Sequence, residues 1–155
     1  MAKVNYNGKT VSDEQIKLAL QAIATILKKD VNVTSGDRDF VPAGGSKTSL
    51  HLSHRAADFR VDGVVDDVAY QEIKSNVLSI FSSGYTYEVI WHGTYTSTTG
   101  AHLHVGRIGA DPIGTVKFIK EGVLSAKKGD YDTEIKIPIV NQYYGKFMEI
   151  VESIK

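Results

Sequence analysis

The histidines of this chain are concentrated in one stretch, and metal chemistry is expected there. All five lie between residues 51 and 104 of the 155-residue chain: His51, His54, His92, His102 and His104. Residues two apart on a β-strand project from the same face, so the imidazoles of His102 and His104 are expected to lie side by side. Three protein ligands and one open position define a catalytic zinc site, and His51, Asp58 and one of that pair would supply them. The alternative is that the histidines are surface strand residues and that Asp58 caps a turn.

Zinc is the metal that this donor set favours. The chain has no cysteine, so any metal must be held by imidazole and carboxylate groups. Such ligands suit zinc better than magnesium or calcium. Zinc lowers the pKa of a bound water to about 7, and a second histidine nearby can take the proton of that water or stabilise a developing oxyanion. We therefore expect Zn²⁺ as the cofactor.

The elements that must position these side chains are those of one α+β domain spanning residues 1–155. A capping box at Ser12 and Gln15, followed by apolar residues at helical spacing, predicts a helix from about residue 13 to 29. Alternation predicts four strands, near residues 31–33 (ended by Thr34-Ser35-Gly36), 56–61, 85–91 and 102–108. The expected architecture is a small, mainly antiparallel sheet packed with two or three helices.

The remaining elements are predicted from weaker patterns. Asp66 and Asp67 open a second helix with an apolar face of Val68, Ile73, Val77 and Phe81. Asp111 and Pro112 predict a short helix. Residues 134–140 are expected to form a strand and residues 141–154 a terminal helix.

Composition and charge exclude several classes of function. The 18 basic residues balance the 18 acidic ones, so no nucleic-acid partner is expected, since such binders usually carry a basic excess. The longest nearly continuous apolar stretch, residues 18–27, is too short to span a bilayer, so membrane insertion is not expected. The N-terminus lacks the apolar region of a secretory signal. We therefore expect synthesis in the cytoplasm without a signal peptide.

Four segments in order carry a resemblance to a known superfamily: residues 33–38, 44–45, 49–59 and 102–106. They resemble the zinc peptidases that cut peptidoglycan stem peptides, namely D-alanyl-D-alanine carboxypeptidases, L-alanyl-D-glutamate endopeptidases and their relatives. The most specific element is Ser49-x-His51 with Ala56 and Asp58 after it. The resembling region spans about residues 31–107, and the resemblance implies a Hedgehog/DD-peptidase-like fold. Residues 109–155 form a C-terminal extension that matches nothing in that family.

The resemblance also implies roles for particular residues. His51, Asp58 and His104 correspond to the three zinc ligands. His102 takes the position that, in the His-x-His branch, lies beside the metal and assists catalysis. Arg38 corresponds to an arginine that faces the substrate or the transition-state charge, and a guanidinium can hold a carboxylate or an oxyanion with two hydrogen bonds.

Two positions depart from the family pattern. His54 stands where the family usually has glycine, and Ala101 stands where many members have an acidic general base. His102 is therefore the favoured base, with Glu88, His92 and His54 as alternatives.

Other residues near the motifs have more than one interpretation. Ser49, His54 and His92 are candidate cleft residues, although Ser49 and His54 are equally compatible with a surface turn. Arg38 could instead pair with Asp37, Asp39 or Asp62.

The expected function is hydrolysis of stem-peptide bonds by a zinc metallopeptidase that acts on the cell wall, on its periplasmic side. Either a D,D-carboxypeptidase or an L-Ala-D-Glu or D,D-endopeptidase fits the motifs. Release as a phage endolysin, or injection as a component of a contractile particle, would deliver it. The alternative is a non-catalytic zinc-stabilised binding or structural module of such a particle.

Overall fold

The computed structural model describes residues 1–40, 49–94, 100–123 and 130–137. In chain order the elements are β1 (Val4–Asn5), α1 (Glu14–Leu27), β2 (Val31–Ser35), β3 (Ala56–Val61), α2 (Asp66–Ser75), α3 (Val77–Ile80), β4 (Tyr85–His92), β5 (His102–Ala110), β6 (Thr115–Glu121) and β7 (Asp130–Lys136). The strands form one seven-stranded sheet in the order β1-β2-β3-β5-β4-β6-β7. Strands β1 and β2, and strands β4 and β6, pair in parallel, and the other neighbours are antiparallel.

The α+β class is as expected, but the sheet is larger than the small antiparallel one predicted. Strands β1 and β6 were not predicted, and β7 begins at Asp130 rather than at residue 134. The segment at Asp111 and Pro112 forms a turn instead of a helix, because the Asp111 carboxylate accepts from the backbone N–H of Ile113 and the hydroxyl of Thr115. The predicted terminal helix, residues 141–154, lies outside the described residues.

Helix α1 lies where it was predicted, but its cap is different. The Asp13 carboxylate accepts from the backbone N–H of Ile16, so Asp13 is the N-cap. Ser12 donates its hydroxyl to Asp37, and Gln15 accepts from Ser82. The capping box predicted from Ser12 and Gln15 is therefore wrong, because both side chains bind other segments.

The second predicted helix is divided in two at Asn76, between α2 and α3. Of its predicted apolar face, Ile73, Val77 and Phe81 are buried but Val68 is exposed, and Ala69 and Tyr70 are buried instead. Tyr70 can be buried because its hydroxyl donates to Asp132 of β7 at 2.8 Å. That partner is distant in sequence, so the local pattern could not indicate it.

The two faces of the sheet have different roles. The buried faces of α1 and α2 join alternate strand residues in one apolar cluster, which includes Phe59, Leu103, Val105 and Phe118. The residues between them, among them Asp58 and His104, project from the opposite face. The core therefore leaves the histidine-bearing face free for a site. No helix among the described residues is long and apolar enough to cross a membrane.

Candidate metal centre

Three neighbouring strands bring polar side chains together on the face opposite the helices. In the antiparallel register, Asp58 of β3 lies beside His104 of β5, and His102 of β5 lies beside His92 of β4. Glu88 of β4 pairs with Gly106, two residues beyond His104. Since residues two apart share a face, these side chains line one continuous patch of the sheet.

The residues predicted as zinc ligands converge within this patch. The Asp58 Oδ1 atom lies 3.0 Å from His51 Nε2 and 3.0 Å from His104 Nδ1, and the two nitrogens are 3.2 Å apart. All three side chains are buried, with exposed fractions of 2% for His51, 8% for Asp58 and 5% for His104. This group, hereafter the triad, could hold a metal ion.

A tight turn before β3 delivers His51 to the triad. The Ser49 hydroxyl accepts from the backbone N–H of His51 at 3.2 Å, and the His51 carbonyl accepts from the N–H of Arg38 at 3.1 Å. The turn ends at His54, whose φ of 57° is left-handed. That conformation favours glycine, which gives a physical reason for the glycine usual at this position in the resembling family.

Ser49 and His54 therefore contribute to the turn that carries His51. The His54 ring pairs with Asp39 at 3.1 Å and, more distantly, with Asp37 at 3.9 Å. It is not part of the triad. Ser49 orients the backbone that carries His51.

Hydrogen bonds behind the triad turn both imidazoles so that lone pairs face inward. His51 Nδ1 lies 2.8 Å from the Gly36 carbonyl, which can only accept, so Nδ1 carries the proton and Nε2 of the neutral ring carries a lone pair. His104 Nε2 likewise faces the Glu88 carboxylate at 2.7 Å. Metal-binding histidines usually donate their outer N–H to a carbonyl or carboxylate in this way.

The converging lone pairs are a test of whether a cation fits. Two imidazole nitrogens and a carboxylate oxygen within 3.0–3.2 Å of one another would repel unless a proton or a metal ion lies among them. Imidazole and carboxylate are also the donors that zinc accepts. The residues present therefore fit a zinc ion.

The pKa shifts of Asp58 and His104 also indicate that the triad favours a positive charge. Burial alone would raise the pKa of Asp58, but the hydrogen bond from His104 and the neighbouring His51 hold it well below its usual range. Burial would lower the pKa of His104, yet hydrogen bonds to Asp58 and Glu88 raise it to about 9. Metal binding requires the neutral imidazole, so a metal would take the place of that proton.

His102 lies at the edge of the triad and is fixed from two sides. Its Nδ1 is 2.8 Å from the Gly100 carbonyl, and its ring stacks on His92 with centroids 4.5 Å apart. The Nε2 atom points to Asp58 Oδ2 at 3.5 Å. Because a carbonyl can only accept, Nδ1 donates, and Nε2 of the neutral ring carries the lone pair that can accept a proton.

His92 supports His102 from behind. Its Nδ1 lies 3.1 Å from Glu121 Oε1, and burial together with the charges of His102 and His104 lowers its pKa to about 4. Sequence reasoning missed Glu121, because it ends β6, a strand that the pattern did not reveal. Glu88, an alternative base, instead binds the outer nitrogen of His104.

A cleft of about 330 Å³ opens beside Asp58 and His102, and Arg38 lines it. The Arg38 Nε atom is buried and has no hydrogen-bond partner among the described residues. No ion pair joins Arg38 to Asp37, Asp39 or Asp62, which all lie in the described ranges. Ala101 also lines this cleft, and its methyl group supplies neither an acid nor a base there.

The hydrogen bond from His104 to Glu88 provides a first prediction. Replacing Glu88 with Gln removes the charge behind His104 while keeping the side chain's shape. We expect zinc affinity to fall by about 10–100-fold, the usual cost of losing such a partner. Competition with a zinc-binding dye measures it. Glu121→Gln is the matched control and should retain parental affinity, because Glu121 binds His92, which is outside the triad; equal losses in both variants would contradict this role for Glu88.

Gly36 provides a second prediction, on stability. A Cβ at Gly36 would lie 2.1 Å from the Thr10 carbonyl oxygen, so the backbone that accepts from His51 would have to move. We expect Gly36→Ala to lower the free energy of unfolding by about 1–3 kcal/mol or more and to weaken zinc binding. Urea unfolding measures the first effect. Gly109→Ala is the control, since a Cβ there meets nothing within 4 Å, and a Gly36 variant as stable as this control would refute the prediction.

No model of a known protein family, no curated protein and no solved structure matches the chain.

Proposed function

We propose that this protein is a zinc-dependent peptidase that hydrolyses peptide bonds in the stem peptides of bacterial peptidoglycan. The observation that carries the proposal is the buried triad whose lone pairs converge beside an arginine-lined cleft. The motif resemblance over residues 31–107 supplies the substrate class.

His51, Asp58 and His104 would hold the metal. Zinc bound there supplies a Lewis acid that polarises an amide carbonyl and makes water a better nucleophile at neutral pH.

The chain's own residues supply the remaining chemistry. His102 Nε2 carries a lone pair at the cleft and accepts the proton of the attacking water; the protonated ring then returns it to the departing amine. The Gly100 carbonyl and the His92 ring keep His102 in this orientation. Arg38 faces the same cleft with an unpartnered Nε and stabilises the negative charge that develops on the carbonyl oxygen.

The place of action follows from the substrate and remains part of the proposal. Stem peptides lie outside the cytoplasm, so release as an endolysin or injection within a particle would bring the enzyme to the wall.

A non-catalytic, zinc-stabilised module is the second candidate, and the burial of the triad favours it, because structural zinc sites are closed. Asp58 nevertheless lines the open cleft, which favours catalysis. Replacing His104 with Ala distinguishes a catalytic zinc site from a structural one.

The test is digestion of purified peptidoglycan followed by mass spectrometry of the muropeptides. We expect new stem-peptide fragments, whose masses identify the bond that is cut. Intact muropeptides from a protein that binds zinc stoichiometrically would overturn the peptidase proposal and leave the binding module.

A further inference from the structure

A second arginine faces the cleft from β3. Arg60 lies two residues beyond Asp58 on the same strand, so both project from the same face of the sheet. Its side chain is 54% exposed and lines the same cleft as Arg38 and His102. Arg60 lies outside the four segments that carry the motif resemblance.

A buried carboxylate holds Arg60 from one side. The Arg60 Nε donates to Asp66 Oδ1 at 3.2 Å, and Asp66 is only 6% exposed at the start of α2, where negative charge is favoured. Within the ranges that the structure describes, Asp66 is the one acceptor that the Arg60 side chain meets. The two terminal nitrogens of the guanidinium thus remain as a fork, which matches the geometry of a carboxylate.

The charges around the cleft select an anion. Two guanidiniums, Arg38 and Arg60, line it together with a single carboxylate, Asp58. The oxygens of Asp58 face His51, His104 and His102, and the two arginines outnumber this one carboxylate in the cleft. A cleft in which one sign of charge predominates concentrates ligands of the opposite sign.

We infer that Arg60 is a specificity-determining residue that binds a free carboxylate of the peptide substrate. The inference rests on the proposed function, because it names the feature of a stem peptide that the site requires. Two carboxylates of a stem peptide belong to the residue that leaves when a candidate bond is cut, the C-terminal one of D-Ala and the α-carboxylate of D-Glu. Both present the same chemistry to Arg60.

The kinetic test compares peptides that differ only in this carboxylate. One pair is diacetyl-L-Lys-D-Ala-D-Ala and its C-terminal amide, and the other is acetyl-L-Ala-D-Glu with the α-carboxylate free or amidated. For the pair that is cut, we expect the zinc-loaded protein to prefer the free acid by about 10–100-fold in kcat/KM, as the loss of charge-assisted hydrogen bonds implies. Arg60→Gln should remove this preference mainly through KM. Arg60→Lys, which keeps the charge but loses the fork, should retain part of it.

A binding test requires no turnover. Calorimetry with ketomethylene analogues of the same peptides, which cannot be hydrolysed, should show a Kd about 10–100-fold lower for the acid than for the amide. Asp66→Asn should reduce the preference by releasing the guanidinium. Lys29→Gln is the charge-matched control and should retain it, because Lys29 is exposed and lies just before β2, at the end of that strand remote from Ser35 in the cleft.

The outcomes separate this inference from the proposed function. Cleavage with equal kcat/KM for acid and amide, or a preference that survives Arg60→Gln, would overturn the role of Arg60 and leave the peptidase in place. Analogues that bind with the expected preference, in a protein that cuts no stem peptide, would support the carboxylate site and overturn the peptidase. The pair that shows the preference identifies which carboxylate is bound.

Discussion

Replacing His104 with Ala should abolish stoichiometric zinc binding and peptide hydrolysis while the sheet remains folded. The side chain supplies one of three converging donors, so its loss should weaken zinc binding by more than the 10–100-fold that a supporting residue costs. The apolar core lies on the opposite face of the sheet and does not include His104. Removing the ring also takes away the hydrogen-bond partner of Glu88 and one of the partners of Asp58, and we expect a loss of about 1–3 kcal/mol in the free energy of unfolding.

Three measurements on one preparation test these effects. Elemental analysis gives the bound zinc, circular dichroism reports whether the protein is folded, and muropeptide mass spectrometry detects hydrolysis. His54→Ala is the matched control and should retain zinc and turnover, because His54 pairs with Asp37 and Asp39. A His104 variant that is unfolded, with a metal-free parent that is also unfolded, would indicate a structural zinc site instead. Undiminished zinc binding by a folded variant would contradict the ligand assignment.

Replacing His102 with Ala should leave zinc in place and lower kcat by about 10²–10⁴-fold, the usual contribution of a positioned acid–base group. His102 Nε2 lies 3.5 Å from Asp58 Oδ2, at the edge of the triad and in the cleft. The ring is not one of the three converging donors. Single-turnover assays at saturating zinc separate the loss of proton transfer from any change in metal affinity.

Glu88 provides the comparison, because it was the carboxylate alternative for the base. Its contact with His104 Nε2 predicts that excess zinc restores the turnover of Glu88→Gln but not that of His102→Ala. A Glu88 variant that stays inactive at saturating zinc, beside an active His102 variant, would reverse the two roles.

Much of the candidate site could be predicted because strand alternation is local. The alternation around Asp58 and the spacing of His102 and His104 placed these residues on one face, and the observed register brings Asp58 beside His104. The contribution of His51 depends on a turn with a left-handed residue at position 54, which the spacing alone does not reveal. Residue type alone made His51 a candidate ligand, and the resemblance chose His104 rather than His102 as the third.

What could not be predicted depends on contacts between distant segments. Strand β6 pairs in parallel with β4, and β1 consists of two residues defined by their pairing with β2. Neither pairing leaves a periodic signature in its own sequence. The supporting roles of Glu121 and Asp66 were missed for the same reason, since each acts through a partner that tertiary packing brings close.

The most direct measurement of the central claim is a titration of zinc into the chelator-treated protein, with stem-peptide fragments counted at each step. We expect one zinc to bind per chain. Fragment formation should rise linearly until one equivalent of zinc has been added and then level off. Fragment formation that is independent of zinc, or a protein that binds one zinc and releases no fragments at any point of the titration, would contradict the central claim.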